Sequence, residues 1–509
     1  MKNKLIHFAI AGLMFVLWLI PFLMLDKAVD MISPLNPDKI SASINAFKTY
    51  DWSSNVNVVW FENITLLLLG LGIGLYLSFS KNTIYALETF IYIPFIFSHP
   101  FDGNSIPTFL FVAAGLALLG MIIHLIRFKV KIKVPKLFIS FVIFALGLML
   151  GGITTKADYL LSQFLILLFA SCGLLALLIF FNSTVKKPDF KYICDMLVIF
   201  GVFLVIQGLM AVLIRVDFIL ELVNGRKVNV GWGMCNNIGV VLLLIVPIPF
   251  YYIFKDYSIK SFIIGLIAPL LFLYAIVFFM SKGSVMMAAA GVFGFYLIAF
   301  IYFVIKKQWK RLFVFAISLI TALLLTFVVL YLLNFKIPVF KQFKEALDAL
   351  HFDTLNGRVS IYKKVFERIK EYPLFGVGLW AGFDEGYLYE GFKGFDWCHS
   401  TLLQALYSGG LFGLGCMLFH LFFKYFYLIK KMTVEKIIVG LSFLISGLYG
   451  LFDVSYFFIS YMIVFIVMTI FCDDVYQEKK VSIKKQLTEF DEGYKLFTLK
   501  KGVKYENSN

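Results

Sequence analysis

Charged residues are scarce in this sequence, and their scarcity argues against a soluble globular protein. Of the 509 residues only 15% are Asp, Glu, Lys or Arg, whereas 61% are hydrophobic. A soluble domain of this length needs a far more charged surface. Apolar runs of about 20 residues, each long enough to span about 30 Å of hydrocarbon, recur from the first residues to about position 472. The composition therefore indicates an integral membrane protein that crosses the bilayer many times.

Other features are also missing, and each absence removes a class of protein. The six cysteines include no CxxC pair and no metal-ligand spacing, which argues against a disulfide framework and a zinc site. No metal and no other cofactor is expected. The net charge is +15, but no basic helix or aromatic–basic platform lies outside the apolar runs, so nucleic acid is not an expected partner. The excess of Lys and Arg instead fits cytoplasmic loops.

The positions of the apolar runs predict an all-α, polytopic bundle of about 12–14 transmembrane helices. The fourteen predicted spans are 5–25, 62–80, 83–98, 107–126, 137–153, 159–181, 193–214, 237–254, 261–280, 284–305, 312–333, 400–423, 437–452 and 455–471. With the N-terminus inside, the predicted cytoplasmic loops are 127–136, 182–192, 255–260, 306–311 and 424–436. Each of these loops is basic, as the positive-inside rule requires.

The same topology divides the chain into regions. Residues 1–333 form eleven predicted helices, 334–398 a large extracytoplasmic loop, 399–472 the last three helices and 473–509 a cytoplasmic tail. In the large loop, the apolar residues between Phe340 and Leu350 predict one amphipathic helix. A second is predicted from Arg358 to Pro373, with apolar residues at helical spacing and charged ones opposite. Nine Lys and Arg residues lie in this loop, which indicates either a solvated helix face or an anion-binding surface.

Four candidate site residues lie at the predicted outer membrane boundary. Arg226 lies in a Gly/Asn-rich loop, Lys282 lies between two closely joined spans, Arg358 opens the amphipathic helix, and His399 lies where the large loop re-enters the membrane. Taken singly, the cations fit interfacial anchors or a helix start, and His399 fits an interfacial histidine. Together, three cations can hold a diphosphate and stabilise its developing charge. A histidine can accept the proton of an attacking hydroxyl. A lipid-linked sugar diphosphate, its tail in the bilayer, is the substrate that fits this group.

Three segments of the sequence resemble those of O-antigen ligases and O-antigen polymerases of the Wzy type. They are GRKVNVGWGMCNNIGVVLLLIVPI, SKGSVMMAAAGVFGFYL, and NGRVSIYKKVFERIKEYPLFGVGLW followed by HSTLLQALYSGGLFGLG. The resemblance covers roughly residues 195–470. It implies a bacterial inner-membrane, metal-independent, inverting glycosyltransferase of the GT-C type, whose active site faces the extracytoplasmic side. The implied donor and acceptor are undecaprenyl-diphosphate-linked glycans, and the implied further partners are the pathway's flippase and chain-length regulator.

Carried over residue by residue, the resemblance makes His399 the catalytic base and Arg226 and Arg358 the diphosphate-binding arginines. Lys282 takes the place of an arginine of the family, which keeps the charge but loses the bidentate fork. Ser400 replaces the usual asparagine after the histidine, and the predicted spans exceed the family's usual dozen. Cys235 and Cys398 both flank site residues, so a disulfide between them is a further hypothesis.

The resemblance leaves the acceptor of the transfer open. A polymerase of O-antigen or capsular repeat units is the first hypothesis, and a ligase that transfers the glycan to lipid A-core or another acceptor is the second. A flippase for the same lipid-linked glycans is the third, because fourteen helices are common in transporters. The predicted spans show no inverted repeat and few mid-span charges, whereas transporters usually bind their substrates near the bilayer midplane.

Overall fold

The described part of the chain is mainly helical and contains no strand. The computed structural model describes residues 2–24, 56–97, 109–155, 160–185, 190–215, 228, 230–233, 235–255, 259–279, 281–332, 358–379, 397–430 and 433–470. Its helices are α1 (Lys2–Met24), α2 (Val56–Phe79), α3 (Ile84–Tyr92), α4 (Phe109–Arg127), α5 (Phe138–Met149), α6 (Leu160–Thr184), α7 (Phe190–Arg215), α8 (Cys235–Ile245), α9 (Phe250–Lys255), α10 (Ile259–Phe278), α11 (Lys282–Ile305), α12 (Trp309–Leu332), α13 (Arg358–Glu371), α14 (Thr401–Ile429), α15 (Val434–Tyr449) and α16 (Ile459–Ile470).

The helices confirm the predicted class, a polytopic helical membrane protein. Each of the fourteen predicted spans overlaps a helix of the structure. Within the described ranges, nine helices are long and apolar enough to cross a membrane, and three further apolar helices are shorter. The boundaries predicted at 333, 398 and 472 stay predictions. The first amphipathic helix of the large loop lies outside the described residues, whereas the second is confirmed as α13.

The basic loops lie together at one end of the bundle. Lys133, between α4 and α5, donates its backbone N–H to the Ser183 hydroxyl at the end of α6 (2.8 Å). Arg311, at the start of α12, donates to the carbonyl oxygen of Ile253 in α9 (3.0 Å). One predicted loop is wrong in part: α14 continues to Ile429, and Lys424, placed in the loop 424–436, is completely buried. In this last part of the helix Lys424, Tyr427 and Leu428 are buried against its neighbours, whereas Phe426 and Ile429 are exposed.

Helix lengths show that α14 bends sharply. Its 29 residues measure about 43 Å along the path, whereas the 16 residues of α15 measure about 24 Å. The two helices nevertheless meet at both ends: Lys436 Nζ donates to the Lys430 carbonyl (3.2 Å), and the Thr401 N–H donates to the Gly450 carbonyl (2.7 Å). The bend occurs at Gly410, where φ is 62° and ψ is −156°. The first turns of α14 therefore lead back toward the core and bring residue 399 to the turn between α15 and α16.

The bend in α14 is filled by the segment 373–379, which follows α13. The N–H groups of Val377 and Gly378 donate to the carbonyls of Tyr407 and Ser408, at 3.0 and 2.9 Å. In return, the N–H groups of Leu411 and Phe412 donate to the carbonyls of Pro373 and Leu374, at 2.8 and 3.0 Å. Backbone groups freed by the broken helix thus find partners within the protein, which a membrane interior requires. This exchange fixes the end of the large loop to the bundle.

Candidate functional site

The side chains of His399 and Asp453 form the centre of the site. Nδ1 of His399 lies 3.2 Å from Oδ1 of Asp453. The histidine side chain is 23% exposed and the aspartate side chain 6%. The carboxylate accepts the Nδ1–H, which leaves the lone pair on Nε2 available for a proton. An imidazole that a carboxylate orients, and that is partly open to a substrate, has the arrangement of a general base.

Asp453 is held by donors from three directions. Its Oδ2 accepts from the amide of Asn236 at 2.8 Å and from the hydroxyl of Tyr449 at 3.1 Å. Its Oδ1 also accepts from the backbone N–H of Val454 (2.9 Å). Hydrogen bonds to a carboxylate stabilise its charged form and fix its orientation. The amide oxygen of Asn236 in turn accepts from the hydroxyl of Ser281 (3.1 Å), which joins the starts of α8 and α11 to the same group.

The backbone around His399 has an unusual conformation that the start of α14 stabilises. His399 has φ of 46°, the left-handed region that non-glycine residues rarely adopt. Ser400 then caps α14 through its hydroxyl, which accepts the N–H of Leu403 at 3.4 Å. The hydroxyl of Tyr362, on α13, donates to the His399 carbonyl (3.3 Å). An unusual backbone conformation held by neighbouring elements is typical of functional sites.

Three of the four predicted site residues can be placed in the structure. Lys282 begins α11 and directly follows Ser281, the residue bonded to Asn236. Arg358 begins α13, one helical turn before Tyr362, whose hydroxyl donates to the His399 carbonyl. The starts of α11 and α13 are thus connected to the His399–Asp453 group through Ser281 and Tyr362. Arg226 lies outside the described residues.

The site lies at the end of the bundle away from the basic loops. Trp18, near the end of α1, donates to the carbonyl of Val230 (2.9 Å), just before α8 and its Asn236. The N-terminal part of the same helix α1 contacts α3 through His7 and Glu88, beside the basic loops. Because α1 connects the two ends, His399 and the basic loops lie on opposite sides of the bundle.

Asp453 and Asn236 were not among the residues that the sequence analysis selected. The turn at Asp453 separates two short apolar segments, and an acid at such a position fits a solvated loop as well as a functional site. Asn236 lies within the first of the three family-like segments, next to Cys235. Sequence alone, however, does not place residue 453 opposite residue 399, because the contact depends on the bend of α14.

The hypothesis of a disulfide between Cys235 and Cys398 is wrong. Neither residue forms a disulfide, both thiols are buried, and burial raises the pKa of the Cys398 thiol. The thiol of Cys235 instead donates to the Asn236 amide oxygen (3.6 Å). In the part of the chain that the structure describes, no group of three or more His, Cys, Asp or Glu residues is arranged to hold a metal ion.

Comparison with known proteins gives a family match over part of the chain. Residues 267–418 match the family model described as O-antigen ligase, which confirms the resemblance to O-antigen ligases and polymerases over that region. The match includes Lys282, Arg358 and His399 and ends before Asp453. No curated protein and no solved structure matches the chain.

Proposed function

We propose that this chain, which matches the O-antigen ligase family model over residues 267–418, polymerises undecaprenyl-diphosphate-linked oligosaccharide repeat units. The family match supports a membrane enzyme of the O-antigen ligase/polymerase type with glycosyltransferase-like activity. The observation that carries the finer proposal is the hydrogen bond between His399 and Asp453 at the end of the bundle opposite the basic loops. By the positive-inside rule, that end faces the extracytoplasmic side of the cytoplasmic membrane.

The proposed reaction is one inverting displacement at an anomeric carbon. A hydroxyl of the acceptor glycan attacks the anomeric carbon of the donor, and Nε2 of His399 takes the hydroxyl proton as the new C–O bond forms. The bond from the anomeric carbon to the diphosphate oxygen breaks, and undecaprenyl diphosphate leaves with the electron pair. Asp453 holds the imidazole in the tautomer that this step needs and stabilises the imidazolium that results.

The leaving diphosphate needs positive charge around it. Arg226, Lys282 and Arg358 are the proposed ligands, because arginine and lysine bind phosphate oxygens and stabilise the developing charge. The starts of α8 and α11, which the Asn236–Ser281 bond joins, add the positive ends of their helix dipoles. In this proposal the cations of the protein itself neutralise the leaving group, and the donor's lipid tail stays in the bilayer.

A ligase is the second candidate, because the matched family model is described by that activity. The two reactions share their chemistry and differ in the acceptor, which is another lipid-linked glycan for the polymerase and lipid A-core or another molecule for the ligase. The test is a deletion strain of the source organism complemented with wild-type protein or His399→Ala, with surface glycan length resolved on a gel.

The outcomes of this test separate the candidates. Loss of long chains with single repeat units still displayed supports the polymerase, and loss of all attached glycan supports the ligase. Unchanged glycan contradicts both. Lys363→Ala is a suitable control, because Lys363 is an exposed residue of α13 and its variant should retain normal chain length. Equal membrane abundance of the tagged proteins shows that a loss is not due to misfolding.

A further inference from the structure

The lengths of α14 and α15 show at which level of the membrane the chain around His399 lies. The part of α14 from Leu411 to Ile429 measures about 28 Å, close to the roughly 30 Å of a bilayer's hydrocarbon. Because a basic loop follows Ile429, Leu411 lies at the opposite boundary of the hydrocarbon. Thr401 lies at a similar level. Helix α15 begins beside the end of α14 and is about 24 Å long, and the Thr401 N–H donates to the carbonyl of Gly450 at its far end (2.7 Å).

Helix α13 lies along this boundary of the hydrocarbon. Near its start, the hydroxyl of Tyr362 donates to the carbonyl of His399 (3.3 Å). Just after its end, the carbonyl of Pro373 accepts the N–H of Leu411 (2.8 Å). Both partners lie at the level of the boundary, so the axis of α13 runs roughly parallel to the membrane surface. A helix with charged and apolar sides in this position is typical of an interfacial helix.

Contacts within the protein account for two sides of α13. Ile361 and Val365 are completely buried and face the first part of α14. On one flank of this buried face, basic and acidic residues form two ion pairs across one helical turn, Lys364–Glu367 (3.5 Å) and Arg368–Glu371 (2.6 Å). The paired charges neutralise one another, so this flank fits a surface in water.

The other flank of α13 carries two apolar residues and a lysine between them. Phe366 is 53% exposed. Lys370, one helical turn later, is exposed and pairs with no carboxylate of the described residues. Leu374 is also exposed and lies a further turn along, because the Gly376 N–H donates to the Tyr372 carbonyl (3.0 Å) and so continues the helical winding.

This flank continues onto the lipid-facing surface of the bundle. The Leu374 carbonyl accepts the N–H of Phe412 (3.0 Å), and Leu411 and Phe412 are exposed on a helix that is long and apolar enough to cross the membrane. Leu374 is therefore exposed beside lipid. A lysine on such a flank can keep its apolar stem along the hydrocarbon and place its amine among the headgroups. The phosphate of an anionic phospholipid compensates the charge of that amine.

We propose that α13 is an interfacial helix in which Phe366 and Leu374 enter the outer leaflet and Lys370 binds the phosphate of an anionic phospholipid headgroup. The positive-inside rule places the outer leaflet at this end of the bundle. The flank with the two ion pairs faces water. A solvated face and an anion-binding surface, the two interpretations of the basic residues in the large loop, thus apply to different flanks of one helix. The proposal concerns the lipid around the protein and does not depend on the reaction at His399.

The test places a fluorescent probe at two neighbouring positions of α13 in the full-length protein, reconstituted into vesicles of phosphatidylglycerol and phosphatidylcholine. Phe366→Cys and Glu367→Cys are labelled in a background that carries Cys172→Ser and Cys472→Ser, because Cys172 is an exposed thiol. The background protein alone measures any labelling of buried thiols. The probe at Phe366→Cys is expected to be quenched mainly by lipids with a nitroxide near the top of the acyl chain. The probe at Glu367→Cys, whose native side chain is 62% exposed, is expected to be quenched mainly by iodide in the water on both sides.

The probe at Phe366→Cys also measures the preference for a headgroup. Its quenching is compared between nitroxide-labelled phosphatidylglycerol and phosphatidylcholine, each at a trace amount in unlabelled phosphatidylcholine. Phosphatidylglycerol is expected to associate roughly fivefold more strongly, which is the contribution of one lysine near an anionic headgroup. Lys370→Gln should abolish this preference. Lys364→Gln, which removes a lysine of the ion-paired flank, should retain it.

Three results would overturn the proposal. Equal quenching of the two probes by iodide, with little effect of the lipid nitroxides, shows that α13 is solvated on both flanks. A probe at Phe366→Cys that neither quencher reaches shows that protein covers this flank, either another part of the chain or a second copy. Equal association of the two lipids, or a preference that persists in Lys370→Gln, contradicts the role assigned to the lysine.

Discussion

Nδ1 of His399 and Oδ1 of Asp453 lie 3.2 Å apart although 54 residues separate them in the chain. The contact joins the start of α14 to the turn between α15 and α16. It forms because α14 bends at Gly410, and its orientation is fixed because Asn236, Tyr449 and the Val454 N–H all donate to the same carboxylate. The reactivity of the histidine therefore depends on a residue that belongs to the last helical hairpin.

Replacing Asp453 with Asn is expected to remove most of the activity and little of the substrate binding. Asn can present an N–H to His399 and thereby favour the tautomer with the proton on Nε2, which cannot accept the acceptor's hydroxyl proton. The kcat is expected to fall about 10²- to 10⁴-fold while KM changes little. The measurement is the initial rate of glycan transfer from the lipid-linked donor by the purified variant.

The matched control for this change is Asn236→Ala. It removes one donor to Asp453 but leaves the carboxylate and the Tyr449 hydrogen bond in place, so a smaller loss of about tenfold is expected. Equal losses in the two variants, or a loss of thermal stability large enough to explain the inactivity, would show that the pair is only structural.

The fold class was predictable from the sequence because apolar runs of membrane-spanning length are strong signals. The amphipathic helix from Arg358 to Pro373 was also predictable, since its apolar spacing and its terminating proline are local features. Nothing local, by contrast, indicates the bend at Gly410 or the return of the chain to Asp453. Those features depend on hydrogen bonds between segments 373–379 and 407–412.

The candidate site was predictable only in part for the same reason. His399, Lys282 and Arg358 were selected because each is polar at a membrane boundary, and the structure places all three at helix starts or just before one. Their roles remain predictions. Asp453 required knowledge of the tertiary contact, because an acid in a short turn between apolar segments is equally compatible with a solvated loop.

Substitutions of the proposed diphosphate ligands should show whether the transfer rate depends on their positive charge alone or also on the geometry of the guanidinium group. Arg358→Ala is expected to reduce the transfer rate about 10- to 100-fold, and Arg358→Lys should restore part of it, because lysine keeps the charge but not the bidentate fork. Lys282→Gln should reduce the rate similarly, whereas Lys282→Arg should be tolerated. The measurement is transfer rate as a function of donor concentration. Lys363→Ala on the same helix as Arg358 is the control, and a loss of the same size there would contradict a specific role for Arg358.

The hydrogen bonds between segment 373–379 and the bend of α14 require a glycine at position 376. Gly376 has φ of 62°, and a Cβ added there would lie 2.4 Å from the Tyr407 carbonyl oxygen. Gly376→Ala is therefore expected to destabilise the protein by more than about 1 kcal/mol and to reduce activity by displacing His399. Gly415→Ala, in the regular part of α14 and with nothing within 4 Å of its added Cβ, should be neutral or stabilising. Thermal unfolding in detergent compares the two variants, and equal stability would contradict the role assigned to the bend.

Lys424 is a buried amine close to the turn that carries Asp453, and its effect on stability is measurable. It is completely buried, its Nζ donates to the Tyr456 hydroxyl, and the rings of Tyr425 and Phe465 lie 4.5 and 5.1 Å from Nζ. Tyr456 follows Asp453 in the same turn, so this contact helps to hold that turn. Removing the Tyr456 hydroxyl takes away a hydrogen-bond partner of the buried Lys424 amine and leaves the aromatic rings beside it. Removing the amine of Lys424 as well leaves no buried amine that needs a partner.

A double-mutant cycle tests this contact. Tyr456→Phe is expected to destabilise the wild-type protein clearly, by about 1–3 kcal/mol, because Nζ of Lys424 loses the Tyr456 hydroxyl as its hydrogen-bond acceptor. In the Lys424→Met background, where a flexible apolar chain replaces the lysine, the same change should cost much less. The midpoints of thermal unfolding of the wild type, the two single variants and the double variant, measured at one detergent concentration, give the coupling between Lys424 and Tyr456. A cost of Tyr456→Phe that is the same in both backgrounds would mean that the hydroxyl acts through Tyr461 instead, its other hydrogen-bond partner, and that Lys424 does not support the turn that carries Asp453.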